Sequence, residues 1–295
     1  MRLFRHCFTS MGCPCEIQLY ARSRYDALAA FVQAEAEVHR LDRKYSHYRD
    51  DSELQRIQKK AAQTGGVEVD HETAALLDYA QTQFEISGGL FDITTRALSA
   101  LWHRVEELPN EQQIQTALKQ TGWHRLDWDG QRLTAPVGLS LDLGGVVKEY
   151  AADRVAGILQ TMGFESGYVD LGGDLHFIGP HPDGRRWQTG IWHPGGGKRA
   201  IASIEVRSGG LASSGDYERY SEIDGKRYGH IINPETGWPV SGLAGVSVLA
   251  PSCLVAGSVT TLAMLAGVDD GLSLLYESGL SWLAIHSDFR VEGTL

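Results

Sequence analysis

Apolar and polar residues alternate over positions 5–20 on either side of Met11-Gly12, the period-two pattern of two antiparallel strands joined by a tight turn. The period then lengthens. Over 25–45, Leu28, Phe31, Val32, Val38 and Leu41 recur at helical spacing, with Ser23 placed to cap the start. Leu76, Leu77, Ala80 and Phe84 predict a second helix over 73–86, which Ser87-Gly88-Gly89 ends. Helices are expected over 93–102 and 110–120, followed by strands around Asp129-Gly130 within 123–139. An amphipathic helix starting near Val147 carries Tyr150, Val155, Ile158 and Leu159. Beyond it, 187–192, 201–207, 245–249 and 282–285 read as strands, and 254–266 and 270–277 as helices. Residues 217–223 and 226–232 read as a hairpin turning at Asp224-Gly225. Many strands with interspersed helices and no regular βαβ rhythm predict an α+β fold of antiparallel sheets with packed helices. No linker rich in Pro, Ser or charge interrupts the pattern, so residues 1–295 are expected to form one compact domain.

Composition narrows the classes of function. A 295-residue chain with 42% hydrophobic content can bury a substantial core, while a net charge of −10 without clustered Lys and Arg argues against a nucleic-acid binder. The cysteines Cys7, Cys13, Cys15 and Cys253 read as reduced thiols. Cys13 and Cys15 are too close for ordinary disulfide geometry, and no second ligand pair accompanies them to build a zinc site. The N-terminal stretch has no apolar run of signal-peptide length, which predicts a cytoplasmic protein as the sequence stands and export only if a leader has been removed. No stretch approaches the apolar length of a membrane span.

Candidate chemistry is densest over 213–239, SSGDYERYSEIDGKRYGHIINPETGWP, where Gly, Asn and Pro set turns while Ser, Asp and His supply donors and acceptors. The segment reads either as site-building loops, with Ser-Ser-Gly-Asp as a turn, or as a hairpin whose polar residues face water. Upstream lie two near-copies, Asp142-Leu-Gly-Gly and Asp170-Leu-Gly-Gly, on either side of the helix that begins near Val147. Their glycines let a phosphate or a ring approach the backbone, and the helix start offers free N–H groups and a positive dipole end to an anion. Neither copy is GxGxxG or a P-loop, so a nicotinamide or ordinary nucleotide fold is not indicated.

SSGDYERY followed by GKRYGHIINPETGWPV resembles the paired motif of the ApbE family of FAD:protein FMN transferases. Five further stretches agree in order: YSHYRDDSELQRI, SGGLFDITTRAL, LDLGGVVKEYAADRV, GYVDLGGDLHFIG and SCLVAGSVTTLAMLAG. The resemblance implies a T-fold-like architecture, FAD as substrate and Mg²⁺ as cofactor. It implies transfer of FMN through a phosphoester to a Ser or Thr in the flavinylation motif of an acceptor flavoprotein, with release of AMP. His230, within His-Ile-x-x-Pro-x-Thr-Gly, is the implied base; a His among apolar neighbours is otherwise a satisfied structural group. Flavin or phosphate contacts are implied for Tyr48, Phe91, Asp92, Gly144, Gly145, Lys148 and Asp153. The same holds for Gly172 and Gly173 and for the run Ser214, Gly215, Asp216 and Tyr217. Lys148 would neutralise the pyrophosphate, and Asp153 would orient it or bind flavin-site groups, unless the two form a surface pair. Asp92 would alternatively cap the helix that follows.

The resemblance breaks at the metal. An Asp and a Thr four apart on one helix face, with a backbone carbonyl, are the implied Mg²⁺ ligands; Val147 supplies the carbonyl and Thr261 is present, but Gly257 stands at the Asp position. Hard cations rely on carboxylate oxygen, so a weakened metal site is expected, and Gly257→Asp is expected to strengthen it. Glu149 stands where a glycine is usual, either as a substitute ligand or as a solvent-facing residue in a helix first turn. Gln58 replaces a common asparagine after the Ser52-Glu53 turn. Two alternatives to transfer stay open: an FAD-binding protein with an impaired metal site, and an FAD pyrophosphatase with water as acceptor.

Overall fold

The computed structural model describes residues 1–103, 105–196, 199–216 and 220–295. Strands β1 (Arg2–Ser10) and β2 (Cys13–Ala21) pair antiparallel across Met11 and Gly12, whose φ angles of 51° and 69° make the left-handed turn that twisted strands require. Helix α1 (Arg24–Tyr45) starts where the Ser23 hydroxyl accepts the Asp26 N–H. Its buried face is Ala27, Ala30, Phe31, Ala34, Val38, Leu41 and Tyr45. Leu28 and Val32, expected inside, are 49% and 68% exposed. The alanine-lined face turns inward because small side chains let α1 approach its neighbours closely, a choice that apolar periodicity alone does not make.

Helix α2 (Glu53–Gln63) is capped by Ser52, and a short strand β3 (Val67–Glu68) leads to α3 (His71–Ile86), capped by Asp70. Helix α4 (Arg96–Leu101) begins later than 93, because the Asp92 carboxylate draws the Thr94 N–H into a turn instead. A capping box of Asn110 and Gln113 starts α5 (Glu111–Leu118), and β4 (Asp127–Trp128) and β5 (Arg132–Thr134) join β3 in a small sheet. Then come α6 (Val147–Thr161), β6 (Gly167–Leu171), β7 (Asp174–Gly179), β8 (Trp187–Trp192) and β9 (Ala200–Val206). The last third holds β10 (Gly209–Gly215), the hairpin β11 (Tyr220–Ile223) and β12 (Lys226–Gly229), and β13 (Leu243–Ala250). It closes with α7 (Cys253–Ala266), α8 (Val268–Glu277), β14 (Ser281–His286) and β15 (Val291–Gly293).

An antiparallel sheet ordered β1-β2-β6-β7-β10-β13-β14-β15 forms the frame. The α+β class expected from the pattern is therefore the observed one. Helices α1, α6 and α7 cover one face through the main core, in which Ile17, Leu19, Val169, Leu171, Val246 and Val248 meet Val38, Val155 and Met264. On the other face Leu175, Phe177, Leu211, Leu283 and Ile285 pack against Trp187, Ile191, Ile204 and Val206 of the β8–β9 hairpin. A third cluster of Leu98, Trp102, Ile114, Ala117 and Ile232 ties α4 and α5 to the segment after β12.

One sequence expectation fails informatively. Ser213, Ser214 and Gly215 do not form a turn but end the central strand β10, opposite Ser247, Val246 and Gly245 of β13. Pairing with β13, together with the Asp174 carboxylate that accepts the Ser213 N–H, holds their backbone in the strand and overrides the local turn preference of small polar residues. The four cysteines form no disulfide, and among the described residues no helix is long and apolar enough to cross a membrane.

Candidate active site

The site is built where the start of α6, the end of β10 and the first half of α7 converge. The turn before α6 is held from three sides. Gln58 Oε1 accepts the Leu141 N–H at 2.7 Å, Ile93 O accepts the Asp142 N–H at 2.7 Å, and Asp142 Oδ1 accepts the Gly144 N–H at 2.8 Å. Asp142 also faces His47 Nδ1 at 3.0 Å. Burial by itself would raise the Asp142 pKa, but the His47 hydrogen bond and charge and the Gly144 N–H outweigh it and hold the carboxyl below its usual range. Beneath the turn a side chain at Gly145 would start 3.6 Å from the Phe91 ring. Beside it stands Tyr48, 66% exposed, its ring 3.9 Å from that of His47 and 5.7 Å from the Arg96 guanidinium. An accessible aromatic next to a glycine turn is a surface on which a flat ring can lie.

Lys148, in the first turn of α6, forms an ion pair with Asp174, the opening residue of β7. Burial would lower the Lys148 pKa, but the charges of Asp174 and Glu149 raise it above the ordinary value, so the ammonium is kept charged. Asp174 Oδ1 also accepts the Ser213 N–H at 3.1 Å, which links Lys148 to the end of β10. One residue further, Ser214 Oγ lies 2.8 Å from Thr260 Oγ1 and 3.2 Å from Thr261 Oγ1 of α7.

Glu149 is only 8% exposed, so it does not face solvent as a first-turn glutamate would. Burial first, and then the Asp174 charge, push its pKa well above the carboxylate range, although Lys148 opposes them. Its Oε2 has no hydrogen-bond partner among the described residues. The side chain lies against α7 at Gly257, where a Cβ would fall 2.6 Å from Glu149 Cγ.

At the outer rim, Asp216 is half-buried, and its burial raises its pKa. Its N–H donates to Ala244 O at 3.2 Å, and its Cβ is 2.9 Å from where a side chain on Gly229 would begin. His230 follows Gly229 directly and is exposed. Asn233 Oδ1 accepts the Glu235 and Thr236 N–H groups at 2.9 and 3.0 Å, so the Asn-Pro-Glu-Thr-Gly run folds on itself and turns the chain back toward the Ile232–Pro239 bridge.

The ApbE family model matches residues 11–283. This chain belongs to the ApbE family. It is 30% identical over 270 residues to a FAD:protein FMN transferase of Haemophilus influenzae, a match covering 87% of this chain and 78% of that protein. Among solved structures, an ApbE protein from Thermotoga maritima superimposes with a TM-score of 0.89 at 30% identity, over 99% of this chain and 97% of that one. A flavin transferase ApbE from Vibrio cholerae gives 0.88 at 26% identity with the same coverage, 99% and 97%.

Within this ApbE-family chain, several expected site residues also have partners within the protein. Asp153 does not orient Lys148, which pairs with Asp174. Its carboxylate accepts the Cys253 and Leu254 N–H groups at 2.7 and 2.9 Å, capping α7, and lies 2.6 Å from His176 Nδ1. Asp92 accepts the Thr94 and Trp123 N–H groups at 2.7 and 3.0 Å, so its carboxylate braces the loop carrying Phe91 and does not cap α4. The two Asp-Leu-Gly-Gly copies also differ. The first enters α6, though its Val147 N–H is already bound by Leu143 O at 2.9 Å. In the second, Gly172 and Gly173 have φ of 67° and 93° and form the two-residue turn between β6 and β7, with Gly173 N–H donated to Asp170 Oδ1 at 2.8 Å. A side chain at Gly172 would start 2.7 Å from Cys13 Cβ, so this glycine admits the neighbouring hairpin. Tyr217 lies outside the described residues.

Sequence reasoning missed two groups that hold the site together, Asp174 and His47, and marked Gln58 only as a motif departure without its bond to Leu141. Asp174 follows the second Asp-Leu-Gly-Gly directly, and the alternation in β7 puts it on the face toward α6. The roles of His47 and Gln58 could not be read locally, since each acts on a partner far along the chain. Among the described residues no group of three or more His, Cys, Asp or Glu could hold a metal ion.

Proposed function

We propose that this chain catalyses transfer of FMN from FAD to a Ser or Thr hydroxyl of an acceptor flavoprotein, releasing AMP. The observation that carries the reading is the polar seam between α6, β10 and α7, where Lys148 reaches the end of β10 through Asp174 and Ser214 meets Thr261. Similarity to the FAD:protein FMN transferase of Haemophilus influenzae, over most of both chains, favours transfer above simple retention or hydrolysis of FAD.

The acceptor hydroxyl oxygen attacks the FMN phosphorus, the bond from that phosphorus to the bridging oxygen breaks, and AMP departs with the electron pair. His230, exposed at the rim where an acceptor can reach it, takes the hydroxyl proton. Lys148, kept charged by Asp174, faces the negative pyrophosphate, and Ser214, Gly215 and Asp216 shape its outer side. Tyr48 and Phe91, with the Gly144-Gly145 turn, receive the flavin ring.

Mg²⁺ fits this seam. It is commonly held by one or two carboxylates completed by substrate phosphates, so a cluster of acidic residues is not required. The Val147 carbonyl and the Thr261 hydroxyl would hold it, and the partnerless Glu149 Oε2 supports the presence of an anionic oxygen nearby. When bound, the ion supplies charge neutralisation on the transferring phosphate.

The test mixes the protein with FAD, Mg²⁺ and an acceptor flavoprotein carrying a flavinylation motif. AMP and acceptor-bound flavin fluorescence should appear in equal amounts. AMP without bound flavin would make the protein a pyrophosphatase; FAD binding without either product would make it a flavin binder.

A further inference from the structure

Gly257 sits in the interior of α7, where glycine destabilises a helix relative to alanine. Its backbone does not require glycine, since it is not among the residues with positive φ. The reason for it is spatial. A Cβ there would stand 2.6, 3.1 and 3.2 Å from Glu149 Cγ, Cδ and Oε1, so the volume that a side chain on α7 would fill is occupied by the Glu149 side chain from α6.

Burying a carboxylate with an unpartnered oxygen is unfavourable unless something meets it, and the nearest cation, Lys148, is committed to Asp174. The Lys148 charge favours a Glu149 anion, but its close neighbour Asp174 is itself a carboxylate, so among the described residues nothing donates to Glu149 Oε2. Thr261 lies one turn beyond Gly257 on the same face of α7, and Val147 lies two residues before Glu149 in the first turn of α6.

Resting on the transferase reading, we propose that Glu149 is the anionic metal ligand of this chain, delivered from α6 into the recess that Gly257 leaves on α7, beside the Thr261 hydroxyl and the Val147 carbonyl. The missing α7 carboxylate and the added α6 carboxylate are then one exchange, and the site is not impaired. The expectation that Gly257→Asp strengthens metal binding is reversed, because the space for that side chain is already filled.

Mn²⁺ titrated into the full chain with ADP, followed by the electron paramagnetic resonance signal of free Mn²⁺, tests this without catalysis. Glu149→Gln keeps the side-chain shape and removes the charge; it should weaken Mn²⁺ binding by at least about tenfold. The swap Glu149→Gly with Gly257→Asp returns a carboxylate from the α7 side and should recover most of that loss, whereas Gly257→Asp alone should lower Tm without tightening Mn²⁺. Unchanged Mn²⁺ affinity in Glu149→Gln overturns the proposal, as does a folded swap variant that regains none. The transferase reading is scored separately by acceptor-bound flavin. A wild type that needs Glu149 for Mn²⁺ but transfers no FMN refutes that reading and leaves the ligand assignment standing. One that transfers FMN while Glu149→Gln holds Mn²⁺ normally does the reverse.

Discussion

Gly257→Ala is the smallest perturbation that probes how α6 and α7 fit together. In a helix with open space around it, the change would stabilise the protein by about 1 kcal/mol through backbone entropy. Here the new methyl carbon would lie 2.6 Å from Glu149 Cγ, too close for any pair of carbons, and Glu149 is enclosed, so it cannot swing into solvent to make room. Overpacking of this kind costs about 1–3 kcal/mol. The net expectation is a loss of up to about 2 kcal/mol, which at about 2–4 °C per kcal/mol lowers Tm by up to about 8 °C. Thermal unfolding of the wild type, Gly257→Ala, Glu149→Ala and the double variant forms a cycle. Because Glu149→Ala removes the three atoms that the methyl would strike, the second substitution should relieve the first, with a coupling of about 1–3 kcal/mol. A Tm for Gly257→Ala above wild type, or strictly additive effects, would refute the reasoning and with it the spatial account of this glycine.

His230→Ala should slow FMN transfer by about 10²- to 10⁴-fold while FAD still raises Tm; an unaltered rate would return His230 to a structural role. Asp174→Asn retains an acceptor for the Ser213 N–H but strands the Lys148 ammonium, and should cost about 3 kcal/mol in urea unfolding; a loss below 1 kcal/mol, roughly the value of an exposed pair, would show that the pair is not buried in solution. Glu72 bonds both Arg40 and Lys44, which hold its carboxyl down from 4.5 to about 2, and Asp70 beside Lys44 also falls to about 2. Both folded-state values lie below the unfolded ones, so this stability is complete above about pH 5 and is lost as pH falls toward 2, to the extent of at most about 3 kcal/mol for Glu72. Tm measured from pH 5 to 2.5 should decline, and Glu72→Gln should flatten the slope; parallel slopes would contradict the assignment.

Much of this protein is legible in one dimension, because turns and caps are decided by residues adjacent in the chain. Met11-Gly12 and Asp224-Gly225 announce their hairpins, Ser23 its helix, and Ser87-Gly88-Gly89 a helix end, and each occurs where its backbone angles or donors demand. The ordered motifs that resemble ApbE were likewise sufficient for the family, which matches over 11–283. What the tertiary structure alone decided involves partners far apart in sequence. Periodicity marks an apolar stripe on α1 but not that its alanines, and not Leu28 and Val32, turn inward. The two Asp-Leu-Gly-Gly runs are the same string, yet one enters a helix and the other turns a hairpin, since the strands around the second pair with each other and leave no helix to start. In the sequence, a carboxylate lost at Gly257 and one gained at Glu149 are unrelated departures. They become neighbours only because α6 packs on α7, where the Glu149 side chain takes the volume that a side chain at Gly257 would need.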